Sequence, residues 1–181
     1  HIPFQSGSNK ILKAMNRGYT REKYLELVAM IRRYVPEAAI TTDIIVGFPG
    51  ETEADFNDTL NLVKEVGFDA AFTFIYSKRS GTPAAAMEEQ VPLDIKKARL
   101  NLLMEAQNIS SLQRNEALVG KTLEVLAEGP SNNNNKVWSG RTRTNKLVLW
   151  PVEGCDFELG DKVQVQIETA QTWLLKGKAV E

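Results

Sequence analysis

Apolar positions follow two rhythms along this chain, and the rhythm changes once. In the first two-thirds, runs with helical spacing alternate with short continuous apolar runs. Ile2-Pro3-Phe4 reads as the end of a strand. Thr20 is placed to cap a helix whose apolar positions Tyr24, Leu27, Val28 and Ile31 recur at helical spacing, and Pro36 closes it. The β-branched run Ala39–Val46 predicts a parallel strand covered on both faces. Thr52 is the next cap, with Glu53 and Asp55 in the first turn and Phe56, Leu60, Val63 and Val66 along one side. A second buried-type strand is expected over Ala70–Tyr76. Strands joined by single helices predict right-handed βαβ units and a parallel sheet. Three strands with two crossovers are too few to close a barrel, so this part reads as half of a larger α/β unit.

A long helix is expected from about Leu93 to Glu116, with Leu100, Leu103, Ala106, Ile109 and Leu112 as its buried stripe. After Gly120 the spacing shortens. Leu123–Ala127, Val137–Thr142, Lys146–Trp150, Lys162–Glu168 and Trp173–Lys178 are five strand candidates separated by turn residues, the rhythm of a small barrel of the OB or SH3 kind. The run Asn132–Asn135 marks a loop tip between the first two. The boundary is expected near Ala117, giving units 1–117 and 118–181.

Composition narrows the picture. The chain has 181 residues, 43% hydrophobic and 25% charged, ordinary for a globular protein. No apolar run approaches a membrane span, so no membrane partner is expected. It opens on His1-Ile2-Pro3-Phe4 without an initiator Met, which reads as a start inside a domain. A single cysteine, Cys155, allows no disulfide within the chain and points to a reducing, cytoplasmic setting. One Cys and one His also leave no ligand set for a metal or iron–sulfur site, and no metal residues are expected here. Net charge is −1, so bulk charge does not announce a nucleic-acid binder. The stretch between Glu128 and Glu153 nevertheless contains no acid, and it carries Lys136, Arg141, Arg143 and Lys146. That is either a solvated loop or a local basic patch.

Candidate chemistry sits where strands end, because α/β sheets bind ligands at the C-terminal rim. Gln5-Ser6-Gly7-Ser8 offers an amide and hydroxyls there; alternatively it is a turn and helix cap. Gly47-Phe48-Pro49-Gly50-Glu51-Thr52 lets backbone approach a ligand, or is simply a tight βα turn. Asp43 is a charge inside an apolar strand, hence a structural anchor or a ligand contact. The segment Tyr76–Pro83, with Lys78 and Arg79, is a basic loop at the same rim. In the second unit Arg141, Arg143 and Asn145 share one face if a strand runs through them, although Thr144-Asn145 also suits a turn. Trp138, Trp150 and Trp173 are able to stack bases, but a small barrel needs at least two of them as core. Cys155 reads as a bystander.

Several long strings then point the same way. Gln5-Ser6-Gly7-Ser8, Leu12–Thr20, Thr42–Thr52, Phe74-Ile75-Tyr76-Ser77, Arg79, Gly81–Ala84 and Leu118–Thr122, in this order, resemble the radical SAM methylthiotransferases. Gly140-Arg141-Thr142-Arg143-Thr144-Asn145 is similar to the signature of that family's TRAM module. The resemblance covers essentially the whole chain. It implies the C-terminal half of a radical SAM partial (β/α) barrel followed by a small all-β, OB-like TRAM barrel. The most similar branch methylthiolates C2 of isopentenylated adenosine next to the tRNA anticodon. The ribosomal-protein branch tends to carry a His after the first Gln, and Phe74–Ser77 with Gly140–Arg143 speak against the threonylcarbamoyl-adenosine branch. Lys78 departs from the pattern, standing where Pro is expected.

The resemblance further implies S-adenosylmethionine and two [4Fe–4S] clusters as cofactors of the full-length enzyme, a tRNA anticodon stem-loop as partner, and an N-terminal half that holds the cluster ligands. Gln5, Arg17 and Asp43 match positions that contact S-adenosylmethionine in related barrels; Arg79, Arg141, Arg143 and Asn145 are the expected RNA contacts. No catalytic residue is assigned, and the fragment alone is expected to be inactive. Two other readings remain: the same chemistry on threonylcarbamoyl-adenosine tRNA or a ribosomal protein, and a non-catalytic RNA-binding module. An unclosed parallel sheet with a bare edge argues against the last.

Overall fold

The computed structural model describes residues 1–131, 134–152 and 157–180. The expected tip residues Asn132 and Asn133, and Cys155, lie outside them. The chain divides into two compact units, 1–110 and 111–181.

The first unit is built on a short parallel sheet. Strands β1 (Thr41–Val46) and β2 (Ala70–Ile75) pair in register from Thr41 with Ala70 to Val46 with Ile75. Residues 2–5 run beside β1 without forming a named strand. Ile2 N–H donates to Thr41 O, Gln5 N–H to Asp43 O and Ile45 N–H to Gln5 O. Along the chain, helices α1 (Asn9–Ala14) and α2 (Arg21–Tyr34) connect that edge to β1, and α3 (Glu53–Val66) links β1 to β2. Their starts follow from capping. The Ser8, Thr20 and Thr52 side chains each accept a free first-turn N–H, and Asp55 completes a capping box with Thr52. Helix α2 stops at Tyr34, just before Pro36 forbids its continuation. The core between sheet and helices joins Phe4, Tyr24, Val28, Ile44, Val46, Phe56, Leu62, Val63 and Phe68. The Phe4 and Phe68 rings stack at 5.6 Å, and burial pushes the Tyr24 hydroxyl up to about 12.

Two expectations about the sheet need correcting. Strand β1 is not covered on both faces: Thr42, Ile44 and Val46 are buried while Asp43 and Ile45 are only half-buried. Phe72 and Phe74 of β2 are 60% and 52% exposed. Strand alternation places Asp43, Ile45, Phe72 and Phe74 on one face, and only the other face carries the helices.

Helix α4 (Pro83–Ala86) is a single turn, and α5 (Leu93–Glu116) has the expected bounds. Its buried stripe differs. Leu103 and Ala106 are buried, but Ile109 is exposed, and Lys96, Arg99, Gln107, Ser110, Ser111 and Asn115 are buried in its place. Lys96, Arg99, Gln107 and Asn115 take that face because they bond carbonyls and a carboxylate outside the helix, and Ser110 bonds the Ala106 carbonyl within it.

The second unit is a closed barrel of β3 (Thr122–Ser131), β4 (Asn134–Thr142), β5 (Leu147–Pro151), β6 (Lys162–Ala170) and β7 (Leu175–Ala179), in the order β3-β4-β5-β7-β6. All five expected strands are present. Val125, Val148, Trp150, Val163, Val165, Ile167 and Leu175 fill its interior, with Trp138 and Phe157 packed on Trp150. The barrel closes tightly at Gly140 and Gly177, where a Cβ would overlap the carbonyl oxygens of Leu126 and Gln166.

Candidate functional site

A cavity of about 920 Å³ opens at the C-terminal ends of β1 and β2 in the first unit. Its polar lining comes from four different segments. Gln5 ends the run beside β1, Asp43 projects from β1, Arg17 follows α1 and Arg79 lies on the loop after β2. Ile45, Phe48, Phe74 and Met15 supply apolar wall. The cavity thus gathers all three expected cofactor residues together with Arg79, which had been expected on the RNA side.

Local backbone explains the placement. Gln5 sits at φ 68°, a left-handed conformation that an ordinary side chain adopts only when its surroundings enforce it. Backbone bonds to β1 on both sides enforce it. Gln5 is 6% exposed as a residue and lines the cavity, with no side-chain hydrogen bond to the described residues. The amide itself is not fully buried, so its donor and acceptor remain available at the cavity surface. Asn16, at φ 58°, ends α1 and turns Arg17 toward the cavity rim. Arg17 is exposed, and its charge acts on the neighbouring Tyr19 hydroxyl. Asp43 is 3.4 Å from His1 Nε2. The fit is good for a ligand with a carboxylate for arginine, an ammonium or hydroxyls for Asp43 and Gln5, and a flat apolar part.

The rest of Gln5–Ser8 is structural. Ser8 caps α1 and donates to Asp55 at 2.7 Å, and Gly7 N–H donates to Thr59 Oγ1 at 2.9 Å. Beneath the cavity lies a polar clamp that sequence reasoning missed. Glu51, fully buried, accepts from Gly47 N–H at 2.7 Å and from Arg99 Nη1 at 2.8 Å. Lys96 Nζ donates to Tyr76 O at 3.0 Å and lies 4.9 Å from the centre of the Tyr76 ring. Burial raises the Glu51 carboxyl above the usual range despite those donors, and burial lowers Lys96. Helix α5 thereby fixes both loops that carry Phe48 and Tyr76 into the cavity wall. The available signal was the polar series Lys96, Arg99, Gln107, Ser110 within the buried stripe.

In the barrel unit, β4 ends at Thr142 and the chain turns. Thr142 N–H donates to Lys146 O, Asn145 N–H to Thr142 O, and Asn145 takes φ 63°. Arg141, Arg143 and Asn145 therefore do not share one strand face; the turn alternative holds. Arg141 is engaged, 3.6 Å from Glu128 and donating to Asn145 O at 3.2 Å. Arg143 and Asn145 are exposed. Trp150 is buried, Trp138 half-buried, and Trp173 is 62% exposed just before β7.

Comparison with known proteins bears on both units. Residues 1–63 match the Radical SAM superfamily and residues 116–180 the TRAM domain. The chain is 60% identical over 181 residues to the tRNA-2-methylthio-N(6)-dimethylallyladenosine synthase of Moorella thermoacetica, covering all of this chain and 40% of that protein. With the protein of the same name in Acetivibrio thermocellus it shares 53% over 180 residues, 99% of this chain and 37% of the relative. With that of Desulfitobacterium hafniense it shares 55% over 178 residues, 98% and 39%. The chain belongs to the radical SAM methylthiotransferase family. It spans about 40% of the length of these relatives. Among the described residues no group of three or more His, Cys, Asp or Glu is placed to hold a metal ion. Among those residues, too, no helix is long and apolar enough to cross a membrane.

Proposed function

We propose that this chain forms the outer wall of the S-adenosylmethionine site and the RNA grip of an enzyme that methylthiolates isopentenylated adenosine beside the tRNA anticodon. The carrying observation is the convergence of Gln5, Arg17 and Asp43 on one cavity, with the Gln5 amide at the cavity surface. The names and identities of the relatives support the reaction and its nucleoside. On this reading residues 1–117 complete a partial (β/α) barrel and residues 118–181 are the TRAM domain. A segment outside this chain supplies the cluster cysteines and covers the face bearing Phe72 and Phe74. The enzyme works in the cytoplasm on the anticodon stem-loop.

S-adenosylmethionine bound at a [4Fe–4S] cluster supplies the radical chemistry that activates the C2–H of adenine. This chain's residues orient and shield. Arg17 pairs with the ligand carboxylate, Asp43 accepts from its ammonium or ribose hydroxyls, and the Gln5 amide bonds a ribose oxygen. Ile45, Phe48 and Phe74 exclude water from the reacting face. Arg79, at the rim, meets a phosphate of the incoming RNA, and Arg143 meets another from the barrel.

In the full-length enzyme, Asp43→Asn or Arg17→Ala should weaken S-adenosylmethionine binding about tenfold or more, the loss of a charge-assisted hydrogen bond of roughly 1.5–3 kcal/mol. Calorimetric titration reads this directly, and tRNA affinity should stay nearly constant. Unchanged cofactor affinity with a lowered melting temperature would assign both residues to structure alone.

A further inference from the structure

We infer that Trp173 is a stacking platform for one unpaired nucleobase of the bound RNA, held rigid by Asn115 and flanked by the basic turn at Arg143–Lys146. The inference rests on the RNA-grip reading and deepens it. Of the three tryptophans, Trp150 and Trp138 belong to the barrel core, whereas Trp173 packs no comparable surface and is 62% exposed. Such an indole offers a partner a flat apolar face with a polar edge.

The loop that carries it is braced. The Asn115 amide donates to the carbonyls of Gln171 at 2.7 Å and Thr172 at 3.1 Å, and its oxygen accepts from Lys146 Nζ at 2.8 Å. A backbone bond from Gln171 N–H to Leu174 O closes the loop around Trp173. One buried asparagine thus ties the tryptophan loop to the β4–β5 turn. Sheet register says the same. Strands β5 and β7 are parallel neighbours with Val148 opposite Leu175, and two residues upstream of that pair stand Lys146 and Trp173. Because the two strands are parallel neighbours, the tryptophan loop and the turn that presents Arg143 and Asn145 enter them at the same end of the barrel.

Charge selects the partner. The loop 171–174 and the turn 142–146 contain no acid, and Glu168 on the neighbouring strand is occupied by Lys178 at 3.7 Å. Arg143 makes no hydrogen bond or ion pair among the described residues. An exposed aromatic plane on the same rim as unspent positive charge suits a base with its own phosphate, since every base has a π-face and brings an anion. Ordering of the loop before binding means little freedom is lost when the base arrives.

The test titrates the chain, by fluorescence anisotropy, with a labelled RNA hairpin bearing an unpaired loop and with a fully paired RNA duplex of the same length. Wild type should prefer the hairpin. Trp173→Ala should lower hairpin affinity about tenfold, leave duplex affinity and the salt slope unchanged, and keep the melting temperature. Trp173→Phe should recover most of the loss. Arg141→Ala/Arg143→Ala should instead reduce the salt slope on both RNAs. Full hairpin affinity in Trp173→Ala, with the arginine effect intact, would overturn the stacking inference alone. No binding of either RNA by wild type would overturn it together with the RNA-grip reading.

Discussion

Arg99→Met removes the cation of the clamp beneath the cavity while keeping a side chain of similar reach. The Glu51 side chain is 0% and that of Arg99 8% exposed, so solvent cannot replace the lost partner. Arg99 donates through Nη1 to both Glu51 Oε2 and Glu51 O, and its Nη2 lies 3.4 Å from Glu53. Removing one member of a buried pair costs about 3–5 kcal/mol, because the remaining charge is stranded. Glu51 keeps only the Gly47 N–H, and it already sits above the usual carboxylate range through burial. Without Arg99 its folded pKa rises further. A raised folded pKa makes the folded state bind the extra proton, so stability in the variant should fall as pH rises from the unfolded value near 4.3 toward the folded one, by up to about 1.4 kcal/mol per pH unit. Wild type should show a shallower fall over a narrower range. Urea unfolding followed by helical circular dichroism reports the first unit, where α1 to α4 and most of α5 lie. All three tryptophans lie in 111–181, so their fluorescence serves as the internal control. The variant should lose about 3 kcal/mol or more by circular dichroism at neutral pH, and Glu51→Gln/Arg99→Met should recover much of it. A loss below about 1 kcal/mol, or an unchanged pH slope, would refute the claim that this pair holds the cavity loop.

Asp55 predicts the opposite pH behaviour. Burial pushes its carboxyl up, but bonds from Ser8, from the Thr52 N–H and hydroxyl, and from Lys10 outweigh it and hold the group well below the ordinary range. Its stabilisation is complete above the unfolded value near 3.9 and is lost as pH falls through the folded one. Asp55→Asn should therefore cost about 2 kcal/mol at neutral pH and flatten the acid limb of the circular-dichroism stability profile; an unchanged acid limb would contradict this. In the barrel, Gly177→Ala forces a methyl against the Gln166 carbonyl and the buried Val165 side chain. The tryptophan-fluorescence transition should drop by roughly 1–3 kcal/mol, and an unaltered midpoint would show that the strands are less tightly closed than described.

Much of this architecture was legible in the sequence, for identifiable reasons. Caps Thr20 and Thr52, the bounds of α5 and the five barrel strands are local features, written in capping residues and in spacing. Gln5, Arg17 and Asp43 were expected to meet on one ligand only through the family resemblance, and Arg79 was expected elsewhere; the fold brings all four together from positions as far apart as 5 and 79. What escaped is non-local. Glu51 and Arg99 are separated by 48 residues and pair only after βα folding. Arg141 was read as free basic surface because the sequence does not reveal Glu128 across the β3–β4 ladder. Phe72 and Phe74 looked like core because a strand's hydrophobicity does not say which of its faces a helix covers. Ile109 was assigned to the buried stripe of α5 because apolar character outweighed the polar residues that occupy it.

The central claim is that these two units serve one tRNA-modifying enzyme. Its most direct test is nucleoside mass spectrometry of tRNA from a strain lacking the full-length gene, complemented with wild-type or Asp43→Asn enzyme. The deletion should lose the 2-methylthio form and accumulate isopentenyladenosine, wild type should restore it, and Asp43→Asn should restore it poorly while the protein is still made. A full complement of the methylthiolated nucleoside in the deletion strain would contradict the account.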